Sequence, residues 1–233
     1  MNVALVIPAA GSGERLGMGI PKALVPVAGV PLLRRTLARL AAAASFVETV
    51  VLAPAEAKER FEAVVAGCPP SLGRVRVETG GATRQASVAA GVAALGVSVE
   101  IVCVHDAARP LVSPETVRGV LAAAAGHGAA TAASRPSDSV RQDRGDGRTE
   151  ALERGRLWLV ETPQAFRRGL LARAHDEAVR RGASFTDDAS IVEALGEEIQ
   201  VVASLGRNLK VTLESDLVLA ADLLGREART TGD

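Results

Sequence analysis

Residues 2–22 read NVALVIPAAGSGERLGMGIPK. The apolar run at its start carries no polar alternation, so it reads as a strand covered on both faces. It feeds directly into a turn rich in glycine, flanked by the cations Arg15 and Lys22. In an open parallel sheet, ligands sit beyond the carboxyl ends of the strands, which is where AAGSGERLG begins. The dinucleotide fingerprint fails here, because Leu16 stands where a third glycine is needed and no acid occurs between Glu14 and Glu48 to hold a ribose. The P-loop fails too, since Lys22 follows Pro21 and no Gly-Lys-Ser/Thr is present. What remains is a stretch from Arg15 to Val47 with five cations and no anion. Arg34, Arg35 and Arg39 read as the solvated face of a helix. Arg15 and Lys22 flank the glycine turn itself, where a guanidinium and an ammonium suit phosphate oxygens. A merely structural glycine turn is the alternative.

Working outward, NVALVIP, ETVVLAP, RVRVE, EIVCVHD, GAATAAS and IQVVAS read as strands. Helical stripes lie between them. Leu33, Leu37, Leu40 and Ala44 share one face, as do Val117, Val120, Leu121 and Ala124 behind Ser113 as N-cap and Pro114 at the first helical position. The alternation predicts an α/β fold, a mostly parallel sheet with helices on both faces. The 233 residues are taken as a single domain, 1–233. Within it, 134–156 is polar throughout, and Gly145-Asp146-Gly147 suits a hairpin turn. That insertion is either a surface loop or lid, or an arm that grips another subunit.

Bulk numbers narrow the function. Lys plus Arg and Asp plus Glu both total 27, so no overall charge draws the chain to nucleic acid or an anionic membrane. The first apolar run is too short for a membrane span. Cys68 and Cys103 stand apart without metal-ligand spacing, which fits a reducing cytoplasm. Only three lysines occur, Lys22, Lys58 and Lys210, in a chain that otherwise uses arginine. EIVCVHDAARP ends a buried strand at Asp106, where a lone carboxylate suits a hard cation such as Mg²⁺, or else caps a turn closed by Pro110. Asp187 and Asp188 read either as a metal pair or as acids at a helix start. Trp158 reads as an anchor for the base of the insertion.

Six stretches taken in order, PAAGSGERLGMGIPK, GGATRQASV, VHDAARP, ETPQAF, FTDDAS and NLKVT, resemble the 2-C-methyl-D-erythritol 4-phosphate cytidylyltransferase family over nearly the whole chain. The resemblance implies a Rossmann-like nucleotidyltransferase fold with a protruding β-arm through which two subunits embrace. It implies transfer of CMP from CTP to 2-C-methyl-D-erythritol 4-phosphate, with release of pyrophosphate and a need for Mg²⁺. By motif position, Ala9, Ala10, Gly11 and Gly13 would line the CTP loop, with Arg15 and Lys22 as catalytic cations on the triphosphate. Gly81, Ala82 and Ser87 would lie at cytosine and ribose, and Asp106 at the metal and the ribose with Arg109 close by. Ser139 and Arg154, reaching from a partner's arm, would hold the acceptor with Thr162, Thr186 and Lys210.

Two positions depart from the commoner pattern. Ala82 stands where members often carry Asp, Ser or Asn, and Ser139 where Thr is frequent. The first leaves base recognition to backbone groups; the second keeps the hydroxyl. A phosphate monoester acceptor has a second pKa of about 6 and is already ionised near neutral pH, so no general base is required. Two rivals remain at this stage: a cytidylyltransferase acting on ribitol 5-phosphate, and a nucleotide-binding regulator without catalysis.

Overall fold

The structure, a computed structural model, describes residues 1–11 and 17–230. Its first half runs β1 (Val3–Pro8), a short ribbon of β2 (Pro26–Val27) and β3 (Val30–Pro31), α1 (Leu32–Ala43), β4 (Glu48–Ala53), α2 (Lys58–Val65), β5 (Arg74–Thr79), α3 (Arg84–Ala93) and β6 (Ile101–Val104). Then come α4 (Pro114–His127), β7 (Ala129–Ser134), the hairpin β8 (Arg141–Asp143) and β9 (Thr149–Ala151), β10 (Leu159–Arg167), α5 (Arg168–Arg180), α6 (Asp188–Glu193), β11 (Gln200–Ala203) and α7 (Glu214–Thr230). Seven strands form the main sheet in the order β11-β7-β10-β6-β1-β4-β5. All six strands expected from the sequence are in it. Each of their pairings with one another is parallel, and β10 alone is antiparallel to both of its neighbours.

The unbroken apolar character of the strands has a simple cause. Leu5, Ile7, Val51 and Cys103 point into a layer with Leu33, Leu37, Leu40 and Phe61 of α1 and α2 and with Val117, Val120 and Leu121 of α4. Their alternating neighbours Ala4, Val6, Val50, Leu52 and Val104 point into the opposite layer, with Val88 and Val92 of α3, Leu171 and Ala174 of α5 and Ile191 of α6. Both faces of the inner parallel strands are dry, so those strands are apolar almost throughout, whereas the edge strand β5, RVRVET, is only partly buried and alternates. Helix α4 is bounded as its sequence dictates. Ser113 Oγ accepts the Thr116 N–H at 3.1 Å, Pro114 opens the helix, and Gly128 closes it at φ +95°.

The structure departs from the sequence reading in two places. Strand β10 lies at the centre of the sheet although Pro163 interrupts it; the pairing with β7 shifts register between Val160 and Gln164, which accommodates the missing N–H. The arginines of α1 do more than face solvent. Arg34 donates to the carbonyls of Val64, in the last turn of α2, and of Ala66 and Gly67 just past it, Arg35 to those of Val27 and Ala28, and Arg39 pairs with Glu227 of α7. They bind three separate segments to α1. The polar insertion, by contrast, holds the hairpin that Gly145-Asp146-Gly147 suits, with Arg141 opposite Ala151 and every residue of both strands exposed. At its root the Arg135 guanidinium lies 3.6 Å over the Trp158 ring and donates to the carbonyls of Gly155 and Leu157.

Helix α3 sits unusually close to the sheet. A Cβ added at Gly91 would stand 2.7 Å from Val6 Cγ1 and 2.9 Å from Leu52 Cδ2, both on fully buried residues. Alanine gains about 1 kcal/mol in helix propensity, but overpacking a filled core costs about 1–3 kcal/mol. Gly91→Ala is therefore expected to lower the stability measured by urea unfolding. A rise in stability would contradict this tight contact.

Candidate active site

Two glycine-bearing turns meet at the carboxyl edge of the sheet. The chain leaves β1 through Ala9, whose N–H donates to Leu52 O at 2.9 Å, and it leaves β5 through Gly80, whose N–H donates to Ala53 O at 2.8 Å. A Cβ on Gly80 would stand 2.6 Å from the Cβ of Ala10, and one on Gly81 2.5 Å from that of Ala86. Only glycine lets these backbones approach so closely. Thr83 then caps α3, its hydroxyl accepting the Ala86 N–H at 3.0 Å. Ser87 Oγ donates to Thr83 O at 2.9 Å and accepts the Gly81 N–H at 3.1 Å. The serine braces the turn from beneath.

Between these turns opens a cleft of about 300 Å³, bounded by Ala9, Ala10 and Gly11, by Lys22, by Gly81 to Arg84, and by Asp106 and Lys210. Asp106 follows β6 and is only 7% exposed. Its backbone turns to Arg109 through a 3.1 Å hydrogen bond, yet its side chain is not a cap. Oδ1 accepts from Arg84 Nε at 3.1 Å, and Oδ2 meets Lys210 Nζ at 2.8 Å and Arg109 Nε at 3.7 Å. Burial pushes this carboxyl upward, but Arg84, Lys210 and Arg109 outweigh burial and hold it well below the ordinary carboxylate range. Thr162 Oγ1 accepts the Asp106 N–H at 3.0 Å from β10. Neighbouring His105 is wholly buried, its Nε2 at 3.2 Å from Arg109 O, and burial lowers its pKa to about 4. It is neutral at physiological pH and takes no place in the cleft lining.

Arg84 links two layers. Its Nη1 donates to Asp188 Oδ2 at 2.8 Å, and Asp188 is wholly buried, with His175 Nε2 3.3 Å from its other oxygen. Burial works against the charged guanidinium, but Asp188 and Asp106 overcome it and raise the Arg84 pKa. A cation in the first turn of a helix opposes the helix dipole, and these two carboxylates offset that cost. Asp187 is the N-cap of α6, Oδ1 accepting the Ser190 N–H at 2.9 Å, so the two acids stand at a helix start. Gln164 of β10 holds them in register, its Oε1 accepting the N–H groups of Asp188 and Ala189, both at 3.0 Å.

Comparison with known proteins decides the family. The model of the 2-C-methyl-D-erythritol 4-phosphate cytidylyltransferase family matches residues 3–226. The chain belongs to that family. A relative of that name from Symbiobacterium thermophilum is 41% identical over 228 residues, covering 97% of this chain and 94% of the relative. Another, from Deinococcus radiodurans, is 42% identical over 224 residues, covering 96% and 90%. The crystal structure of the 2-C-methyl-D-erythritol 4-phosphate cytidylyltransferase of Thermus thermophilus superposes with a TM-score of 0.77 at 38% identity, covering 96% of this chain and 98% of that one. The cytidylyltransferase fold thus accounts for the sheet and its flanking helices.

Of the positions that the family motifs single out, Ala9, Ala10, Gly11, Lys22, Gly81, Ala82, Ser87, Asp106 and Lys210 line one cleft. Arg109 and Thr162 stand behind it, the first in an ion pair with the Asp106 carboxylate and the second hydrogen-bonded to the Asp106 N–H. Ser139 and Arg154 are exposed at the arm, where Arg154 Nη1 donates to Ser137 O at 2.6 Å, and Thr186 is exposed ahead of α6; none of the three lines the cleft. Gly13 and Arg15 lie outside the described residues. Arg84 is the residue that sequence reasoning passed over. Its signal was a cation one position after an N-cap threonine, where acids are normally favoured.

Arg84→Ala would leave Asp188 buried without its guanidinium and take one of three cations from Asp106. Breaking buried pairs of this kind costs about 3–5 kcal/mol, so urea unfolding should show a loss of that size. Arg84→Lys, reaching one carboxylate at a time, should fall between. A loss below about 1 kcal/mol would mean that other groups neutralise these acids.

Proposed function

We propose that this chain transfers CMP from CTP to the 4-phosphate of 2-C-methyl-D-erythritol, releasing pyrophosphate. The reading is carried by one observation: in a member of this family, Lys22, Arg84 and Lys210 ring a cleft whose floor is a glycine-bearing double turn and whose one described carboxylate is Asp106. The acceptor's phosphate oxygen is already an anion, so the chemistry needs charge stabilisation and alignment rather than a base. Among the described residues no histidine lines the cleft, which suits that demand. Lys22, with Arg15, meets the triphosphate as charge builds at the α-phosphoryl oxygens, while Lys210 meets the acceptor phosphate. Backbone groups of Gly81 and Ala82 read the base.

A divalent ion fits this donor set in one way. Among the described residues no group of three or more His, Cys, Asp or Glu side chains could hold a metal. One carboxylate is sufficient for Mg²⁺ that takes its remaining ligands from substrate phosphates and water. Asp106 would hold it in exchange for one of the cations that its two oxygens now meet, and the ion would supply further charge neutralisation on those phosphates. The arm is assigned to a homodimer. Its hairpin pairs only within itself, and isolated two-stranded hairpins are marginal in water, so a second subunit is the fitting support. Arg154 and Ser139 would then reach the partner's acceptor site, with Thr162 and Thr186 completing it. No helix among the described residues is long and apolar enough to cross a membrane, and both cysteines are free. A cytoplasmic enzyme fits these facts.

A pyrophosphate-release assay across CTP, UTP and ATP with methylerythritol phosphate tests the activity: release with CTP is expected, and none with any nucleotide would reject it. Lys22→Ala is expected to lower turnover by roughly 10²–10³-fold, as when one charge-stabilising donor is lost. Turnover within threefold of the parent would remove Lys22 from the chemistry. Arg154→Ala is expected to raise the Michaelis constant for the acceptor and leave that for CTP nearly unchanged. An equal rise in both would give the arm another task.

A further inference from the structure

Lys210 stands on the stretch between β11 and α7, which has no regular secondary structure from Ser204 to Thr212. A lysine on such a segment keeps a fixed position only if side chains hold the backbone. The principal holder is Asn208, 5% exposed and two residues before the lysine. Its Nδ2 donates to Glu161 Oε2 at 2.8 Å and to Thr162 O at 2.7 Å, and its own carbonyl accepts from Arg109 Nη1 at 2.7 Å. Glu161 in turn accepts from Ser204 Oγ at 2.7 Å, where the segment begins, and from Ser134 Oγ at 2.8 Å, where the chain leaves β7 for the arm. The Val211 N–H closes the far side on Ala108 O at 2.9 Å.

One carboxylate therefore joins both feet of the arm to the segment that carries Lys210. Thr162, whose carbonyl Asn208 holds, is the residue whose hydroxyl accepts from the Asp106 N–H. Lys210 and Asp106, which meet at 2.8 Å, are thus set by the same short piece of β10 from two directions. We propose that Glu161 and Asn208 are positioning residues that hold Lys210 against Asp106 in the cleft. Neither lines the cleft. The inference rests on the reading of the chain as a cytidylyl transferase in which Lys210 meets phosphate.

Two measurements on the full chain test it. The chain has three lysines, so reductive ¹³C-methylation gives three dimethyl-lysine signals beside that of the amino terminus, assigned by Lys→Arg variants. In Asn208→Ala the Lys210 signal is expected to move away from its position in the ion pair with Asp106 and toward that of dimethyl-lysine in the urea-unfolded chain; an unmoved signal overturns the clamp. This readout needs no activity, so it stands even if the parent releases no pyrophosphate, an outcome that would count against the functional reading alone.

The second is a double-mutant cycle on kcat/KM for the acceptor. Asn208→Ala is expected to cost at least about tenfold alone and under about threefold on a Lys210→Ala background, because it acts through the lysine. The same factor in both backgrounds overturns the proposal. Should Asn208→Ala fail to fold, Glu161→Ala carries the same cycle. Glu161→Gln, which keeps an acceptor oxygen for Asn208, is expected to restore most of what Glu161→Ala loses, and equal losses in the two overturn the hydrogen-bonded clamp.

Discussion

A carboxylate almost removed from water, Asp106, is the constraint on which the cleft depends. Burying it alone would push it toward the neutral acid. Three cations prevent this, and each arrives from a different part of the chain: Arg84 from the start of α3, Arg109 from the turn after β6, and Lys210 from the segment before α7. The ion cluster thus locates three segments relative to one strand end. It also leaves more positive than negative charge around the cleft, the imbalance that a polyphosphate needs.

The sheet makes that convergence possible. Strands β1, β5 and β6 all deliver their carboxyl ends to the same edge; the two turns that follow β1 and β5 touch because Gly80 carries no side chain, and α3 folds back on the second turn because Gly81 carries none. Strand β10, running the other way, brings Thr162 and Gln164 to that edge from the opposite direction. It carries the buried polar residues Thr162 and Gln164 into the sheet beside strands β6 and β1, whose residues are all apolar. By accepting N–H groups, Thr162 Oγ1 and Gln164 Oε1 fix Asp106 and α6, so these buried polar groups are satisfied while they organise the site.

How much of this could be read from residues alone follows from the physics of each signal. The inner parallel strands were legible because two dry faces demand continuous apolar runs, the edge strand β5 because its valines alternate with polar residues, and α4 because serine, proline and glycine mark its ends. Strand β10 was not, since a central proline and polar neighbours are the usual marks of a loop. The helix arginines 34, 35 and 39 looked like a solvated face because nothing in sequence reveals which distant carbonyls they reach. Glycines and lysines near the cleft were found through motif position. Arg84, Glu161 and Asn208 were not singled out, because their importance lies in tertiary partners 22 to 104 residues away.

The most direct measurement of the central claim is the ¹³Cγ chemical shift of Asp106 followed by NMR while the pH is lowered. An ordinary aspartate titrates with a midpoint of about 4. With Arg84, Lys210 and Arg109 holding it, Asp106 is expected to stay ionised, its signal unchanged from pH 7 down to about 3. A full titration centred near 4 would show that the three cations do not grip this carboxylate, and the proposed organisation of the cleft would be wrong.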